Sequence, residues 1–157
     1  PPLLSQAFKR GQLDVLVTFW HFAAELTAAG EAEVALPMAT LLADLDMPAG
    51  LPILGYVFPE TWARDHETLL ARFATAVAQA KRELRDEPDH WEALRPLMRV
   101  GDDAHFEALR QGYVQGIPEP LDEERVRALQ RLLVLAGTAP EAVMPAGLFV
   151  MSGGETP

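Results

Sequence analysis

The sequence predicts an α/β fold with a helix-rich C-terminal portion, on three observations. Leu13 to Phe19 (LDVLVTF) is an apolar, β-branched run broken only by Asp14, which suits a strand covered on both faces of a sheet. Ile53 to Phe58 (ILGYVF) reads as a second buried strand. Beyond it strand signals stop, and apolar residues recur at helical spacing to about residue 137.

In chain order, LLSQAFKRG reads as the end of an amphipathic helix that stops at Gly11, with Lys9 and Arg10 complementing the dipole of its last turn. The first strand follows, and then His21 to Ala29, rich in alanine and leucine and closed by Gly30. Pro37 to Leu45 predicts a short helix before MPAGLP breaks regular structure. Gly55, inside the second strand, points to a close backbone approach or a bulge. Leu69, Leu70, Phe73, Val77, Ala80 and Leu84 then define one helical face, with Arg72, Gln79 and Arg82 on the other. Pro88 opens a helix carrying Trp91 and Leu94, and Pro96 marks its end or a kink. Asp102 or Asp103 caps the next helix, with Phe106, Leu109 and Tyr113 on one stripe. After the linker GIPEP, Asp122 caps a last helix bearing Val126, Leu129, Leu132 and Leu133. The tail from Pro140, with its glycines and prolines, predicts loose attachment.

A chain of 157 residues, 49% hydrophobic and 23% charged, has the composition of a globular domain with a real core. A net charge of −10 argues against nucleic-acid binding, which calls for a basic face to collect phosphates. The absence of cysteine removes disulfides, thiolate nucleophiles and Cys-ligated metals, and leaves the redox compartment open. No window reaches the roughly 18 uninterrupted apolar residues of a membrane span. The opening Pro1-Pro2 reads as a cut from a longer chain, so a missing signal segment carries no information.

Chemistry-bearing motifs are few. His21, His66, His90 and His105 are scattered without ligand spacing, and no nucleophile elbow, P-loop or dinucleotide fingerprint occurs. The glycines of MSGGETP have no helix after them to build a phosphate cradle. Asp102-Asp103 and Glu123-Glu124 sit where carboxylates favour helix starts, and Trp62 and Trp91 read as packing residues. The junction FWHFAA differs by position. A strand ending at Thr18-Phe19 and a helix starting near His21 direct side chains and unpaired N–H groups to one spot. Trp20 there stacks on a flat ligand or walls a pocket, with Thr18 and His21 as hydrogen-bonding groups; alternatively Phe19 and Trp20 plug the sheet end.

Three stretches carry a resemblance in this order: LLSQAFKRGQLDVLVTFWHFAAELTAAG, LPILGYVFPETWARDHETLLARFATAVAQAKREL and DEERVRALQRLLVLAG. Together, over residues 1–137, they resemble the C-terminal half of ABC-transporter substrate-binding proteins of the nitrate, sulfonate, taurine and thiamine-precursor group. The resemblance implies part of a type 2 periplasmic-binding fold, whose two lobes close on a ligand. Residues 1–50 would then belong to the second α/β lobe, 51–137 to the returning strand and helices of the first, and 138–157 to a loosely packed tail. It implies a non-enzymatic solute-binding component that holds a small anionic or aromatic molecule (a sulfonate, nitrate or thiamine precursor) and delivers it to a membrane permease.

The implied ligand-binding residues are Thr18, Phe19, Trp20 and His21, with Gly55 and Tyr56 from the returning strand. No catalytic residue, metal or cofactor is implied, and the expected state is a monomer, periplasmic or membrane-anchored outside the cytoplasm. Relatives often carry a small acidic residue and proline after the tryptophan, whereas His21 and Phe22 follow here, so ligand identity does not carry over. Two rival expectations stand beside this one: the ligand-sensing domain of a LysR-type transcription regulator, and an enzyme resembling pyrimidine-precursor synthases. An α/β and helical interaction module is the fallback.

Overall fold

The computed structural model describes residues 2–149, and every regular element among them is helical. The α-helices are α1 (Pro2–Lys9), α2 (Trp20–Ala28), α3 (Met38–Asp44), α4 (Glu60–Asp65), α5 (Glu67–Asp86), α6 (Asp89–Met98), α7 (Asp103–Gln115) and α8 (Glu123–Leu135). Short 3₁₀ turns follow at Pro140–Ala142 and Ala146–Leu148.

This corrects the expected fold class. With no strand among the described residues, the chain is not an α/β two-lobed periplasmic-binding fold. Neither Leu13–Phe19 nor Ile53–Phe58 forms a strand, and both runs lie open, with Val17 85% and Leu54 91% exposed. The physical reason is that a strand closes no hydrogen bonds of its own and is stable only beside a neighbour. No backbone hydrogen bond joins residues 15–18 to another described residue. A helix closes its bonds within itself, so the helical segments need no such neighbour. Gly55 likewise meets no close backbone: a Cβ built there finds nothing within 4 Å.

The local helix signals act as expected, with two differences. Gly11 ends the first helix at φ +68°, a left-handed conformation that a side chain would strain. Asp102, not Asp103, caps α7 by accepting the His105 N–H at 2.8 Å, and Asp122 caps α8 by accepting the Arg125 N–H at 2.8 Å. Pro96 does not end α6, which runs on to Met98 and stops at left-handed Arg99. So near the C-terminus, a proline removes only one of the last backbone bonds. The short helix α4 has no counterpart in the sequence reading.

The chain divides into two compact units, one of Pro1–Ala35 with Pro59–Ile117 and the other of Leu36–Phe58 with Pro118–Pro157. In the first, α2 packs on α7, and Ala24, Leu26, Trp91 and Phe106 are buried. Trp91 joins three helices: its indole N–H donates to the Leu84 carbonyl of α5 at 2.6 Å, and its ring meets Tyr113 of α7 edge-on at 5.4 Å. Arg95 lies over the Phe106 ring at 4.6 Å and pairs with Asp103. In the second unit, Leu42, Met47, Leu51, Ala128 and Leu129 form the core, with Leu121, Leu132 and Phe149 packed against it. The Gln130 amide also donates to the Met144 carbonyl at 2.8 Å, tying the segment after α8 to that helix. Of the predicted tail, residues 150–157, including the glycines of MSGGETP, lie outside the described residues.

Candidate functional site

The strand half of the predicted junction is absent among the described residues, and FWHFAA forms the start of α2. Phe19 is the N-cap residue, with extended backbone (φ −71°, ψ 150°) that turns the chain into the helix. Four consecutive rings gather there. His21 stacks nearly parallel to Phe19 at 5.9 Å between centroids, meets Trp20 edge-on at 5.7 Å and lies tilted against Phe22 at 4.4 Å. Phe19 is 61% and Trp20 48% exposed, so the cluster presents aromatic faces to solvent.

Trp20 is held from behind. A Cβ placed on Gly112 of α7 would lie 2.9 Å from Trp20 Cε3, closer than side chains approach one another. The tryptophan therefore rests directly on the α7 backbone, and only glycine fits beneath it. With no sheet among the described residues, Trp20 plugs no sheet end; it packs on α7 at Gly112 and stays 48% exposed. A glycine inside the helical pattern DAHFEALRQGYVQ costs roughly 1 kcal/mol relative to alanine, and that cost was the signal for a packing role at Gly112.

The backbone at the junction offers donors. The N–H groups of Phe22 and Ala23 turn back to the Phe19 carbonyl at 3.0 and 3.1 Å, whereas those of Trp20 and His21 make no backbone bond among the described residues. No side chain caps α2, and no acidic residue lies in its first turn, in contrast to α7 and α8. Its positive dipole end is left uncompensated. Thr18 is half-buried, and its hydroxyl oxygen has no hydrogen-bond partner among the described residues. Gly55 and Tyr56, the second pair of predicted ligand residues, are exposed and belong to the other unit.

A hollow of about 360 Å³ lies between α1 and α2, lined by Pro2, Ser5, Gln6 and Lys9 from one helix and Phe22 and Glu25 from the other. The one cation among its described lining residues is already engaged. Lys9 Nζ sits 3.0 Å from Glu25 and 3.2 Å from Glu31, and these carboxylates, Glu25 first, hold the ammonium pKa above its ordinary value. Two carboxylates around one ammonium leave this hollow net negative, so an anion is favoured at the start of α2 rather than here. Among the described residues no group of three or more His, Asp or Glu side chains is placed to hold a metal ion, and no helix is long and apolar enough to cross a membrane.

No protein-family model matches the chain, and no curated protein sequence matches it.

Proposed function

We propose that the chain acts in solute binding for an ABC import system, taking a small anionic or aromatic organic molecule at the Thr18–His21 junction and serving a membrane permease. The observation that supports this best is the exposed ring cluster at an uncapped helix start, where stacking surfaces and free backbone donors converge. The transport class comes from the resemblance of residues 1–137 alone, whose implied two-lobed fold is not the one observed. The overall charge of −10 does not oppose an anion there, because at physiological salt charges beyond about 8 Å are largely screened. Ring stacking and the N–H groups of Trp20 and His21 supply recognition, and no chemical step is required.

Thermal unfolding against taurine, nitrate, benzoate and a thiamine precursor tests the reading. Phe19 is the informative position, because it is exposed and its ring stacks on His21 rather than on the core. Phe19→Ala is expected to unfold within about 0.5 kcal/mol of the parent. One ligand should raise the parent's melting temperature while leaving that of Phe19→Ala unmoved. If no compound shifts the parent, or if both proteins shift equally, the junction is not the binding site.

A further inference from the structure

We propose that the hollow between α1 and α2 binds a small primary ammonium ion with an apolar stem, an alkylamine in its protonated form. The site is separate from the Thr18–His21 junction, and the proposal does not rest on the solute-binding reading. Ser5 carries it. This residue lines the hollow and is 8% exposed, and its hydroxyl oxygen is buried with no hydrogen-bond partner among the described residues. A buried hydroxyl left unpaired is destabilising, so a ligand that donates to this oxygen gains a bond the free protein lacks. The space is sufficient. At about 360 Å³ the hollow is many times the roughly 30 Å³ share of a water molecule and falls in the roughly 300–1,000 Å³ range of small-molecule sites.

Charge selects the ligand's sign. Lys9 Nζ engages Glu25 Oε1 and Glu31 Oε2, so two carboxylates face one ammonium and a negative charge is left over. Glu25 Oε2 accepts no hydrogen bond among the described residues. A second ammonium therefore finds an open carboxylate oxygen and the Ser5 oxygen on one hollow, and Gln6, from the same helix as Ser5, brings an amide oxygen as a further acceptor. Lys9 is the like charge that such a ligand approaches, and its own two carboxylates already offset it. Phe22 and Pro2 make up the apolar part of the lining, where a short hydrocarbon stem is removed from water and an aromatic ring favours a cation. An anion would meet the surplus carboxylate charge, and a neutral alcohol would leave it unanswered. The net charge of −10 also draws cations to the chain.

Titration of the isotope-labelled chain with n-butylammonium chloride at constant ionic strength, followed by NMR, tests this, with n-butanol and butyrate as controls of equal chain length. Butylammonium is expected to saturate with a Kd of about 1 mM, moving the amide signals of residues 2–9 and 22–25 most, while neither control shifts them at the same concentration. Ser5→Ala and Glu25→Gln are each expected to weaken binding at least about fivefold with unchanged helical circular dichroism. Ser5→Ala keeps both Lys9 pairs, so it decides the matter if Glu25→Gln loosens α1. The proposal is overturned by shifts that do not saturate, by butanol or butyrate binding as tightly, by shifts centred on residues 18–21, or by a Ser5→Ala variant that keeps the parent's affinity.

Discussion

Trp20 shows what a single residue's surroundings add to its sequence position. Its contact with Gly112 gives a test in which the sign of an effect reverses. In a helix interior, alanine is favoured over glycine by about 1 kcal/mol, but here the added methyl would press on the indole at an overpacking cost of about 1–3 kcal/mol. Gly112→Ala alone is expected to destabilise by about 1 kcal/mol, and in a Trp20→Ala background the same substitution should stabilise by a similar amount. Chemical denaturation of the four proteins measures both, and additivity of the two changes would disprove the contact. The sequence placed Trp20 at a junction and left its role open between two readings. The deciding neighbour lies 92 residues away along the chain, beyond any local pattern. The start of α2, where Thr18, Phe19 and His21 lie, follows from local helix signals, whereas the strand expected to end at Thr18–Phe19 does not form.

At the scale of elements, legibility followed the range of the forces involved. Helices α5, α7 and α8 were written in local periodicity and in the capping aspartates, which act within a turn of the chain. Residues 13–19 and 53–58 were misread because β-branched composition describes what a strand would need without showing that a neighbour exists to pair with it. The middle of α7 offers a test of local electrostatics. Glu107 accepts hydrogen bonds from Arg110 at 2.7 and 2.9 Å and from Gln111 at 2.8 Å, and these, Arg110 foremost, hold its carboxyl down to about 2 from an ordinary 4.5. A depressed carboxylate contributes stability that is fully present above about pH 4.5 and is lost as pH falls toward 2. The Glu107 side chain is 42% exposed, so solvent screening limits the effect to about 0.3–0.5 kcal/mol. Unfolding of Glu107→Gln compared with the parent across that window isolates this contribution from the other depressed carboxylates, Asp86 and Asp122. The difference between the two proteins should shrink as the acid limit is approached, and a constant difference would count against the pairing.

For the whole molecule, the chain combines helical order in two units with open apolar segments between helices, and the proposed binding site adjoins one of those segments. A periodic pattern reports which faces of a chain are apolar, but whether a layer exists to cover them is a property of the assembled fold. That is why the helices were legible and the layer architecture was not. Hydrogen exchange read by mass spectrometry, with and without a compound that raises the melting temperature, tests the account in one experiment. In the free protein, α5 and α7 are expected to be protected and residues 15–18 to exchange as in an unstructured peptide; ligand should then slow exchange at Trp20 and His21. Strong protection of residues 13–19 in the free monomer would restore a paired strand there and contradict the helical fold, and ligand-induced protection elsewhere would move the binding site away from the junction.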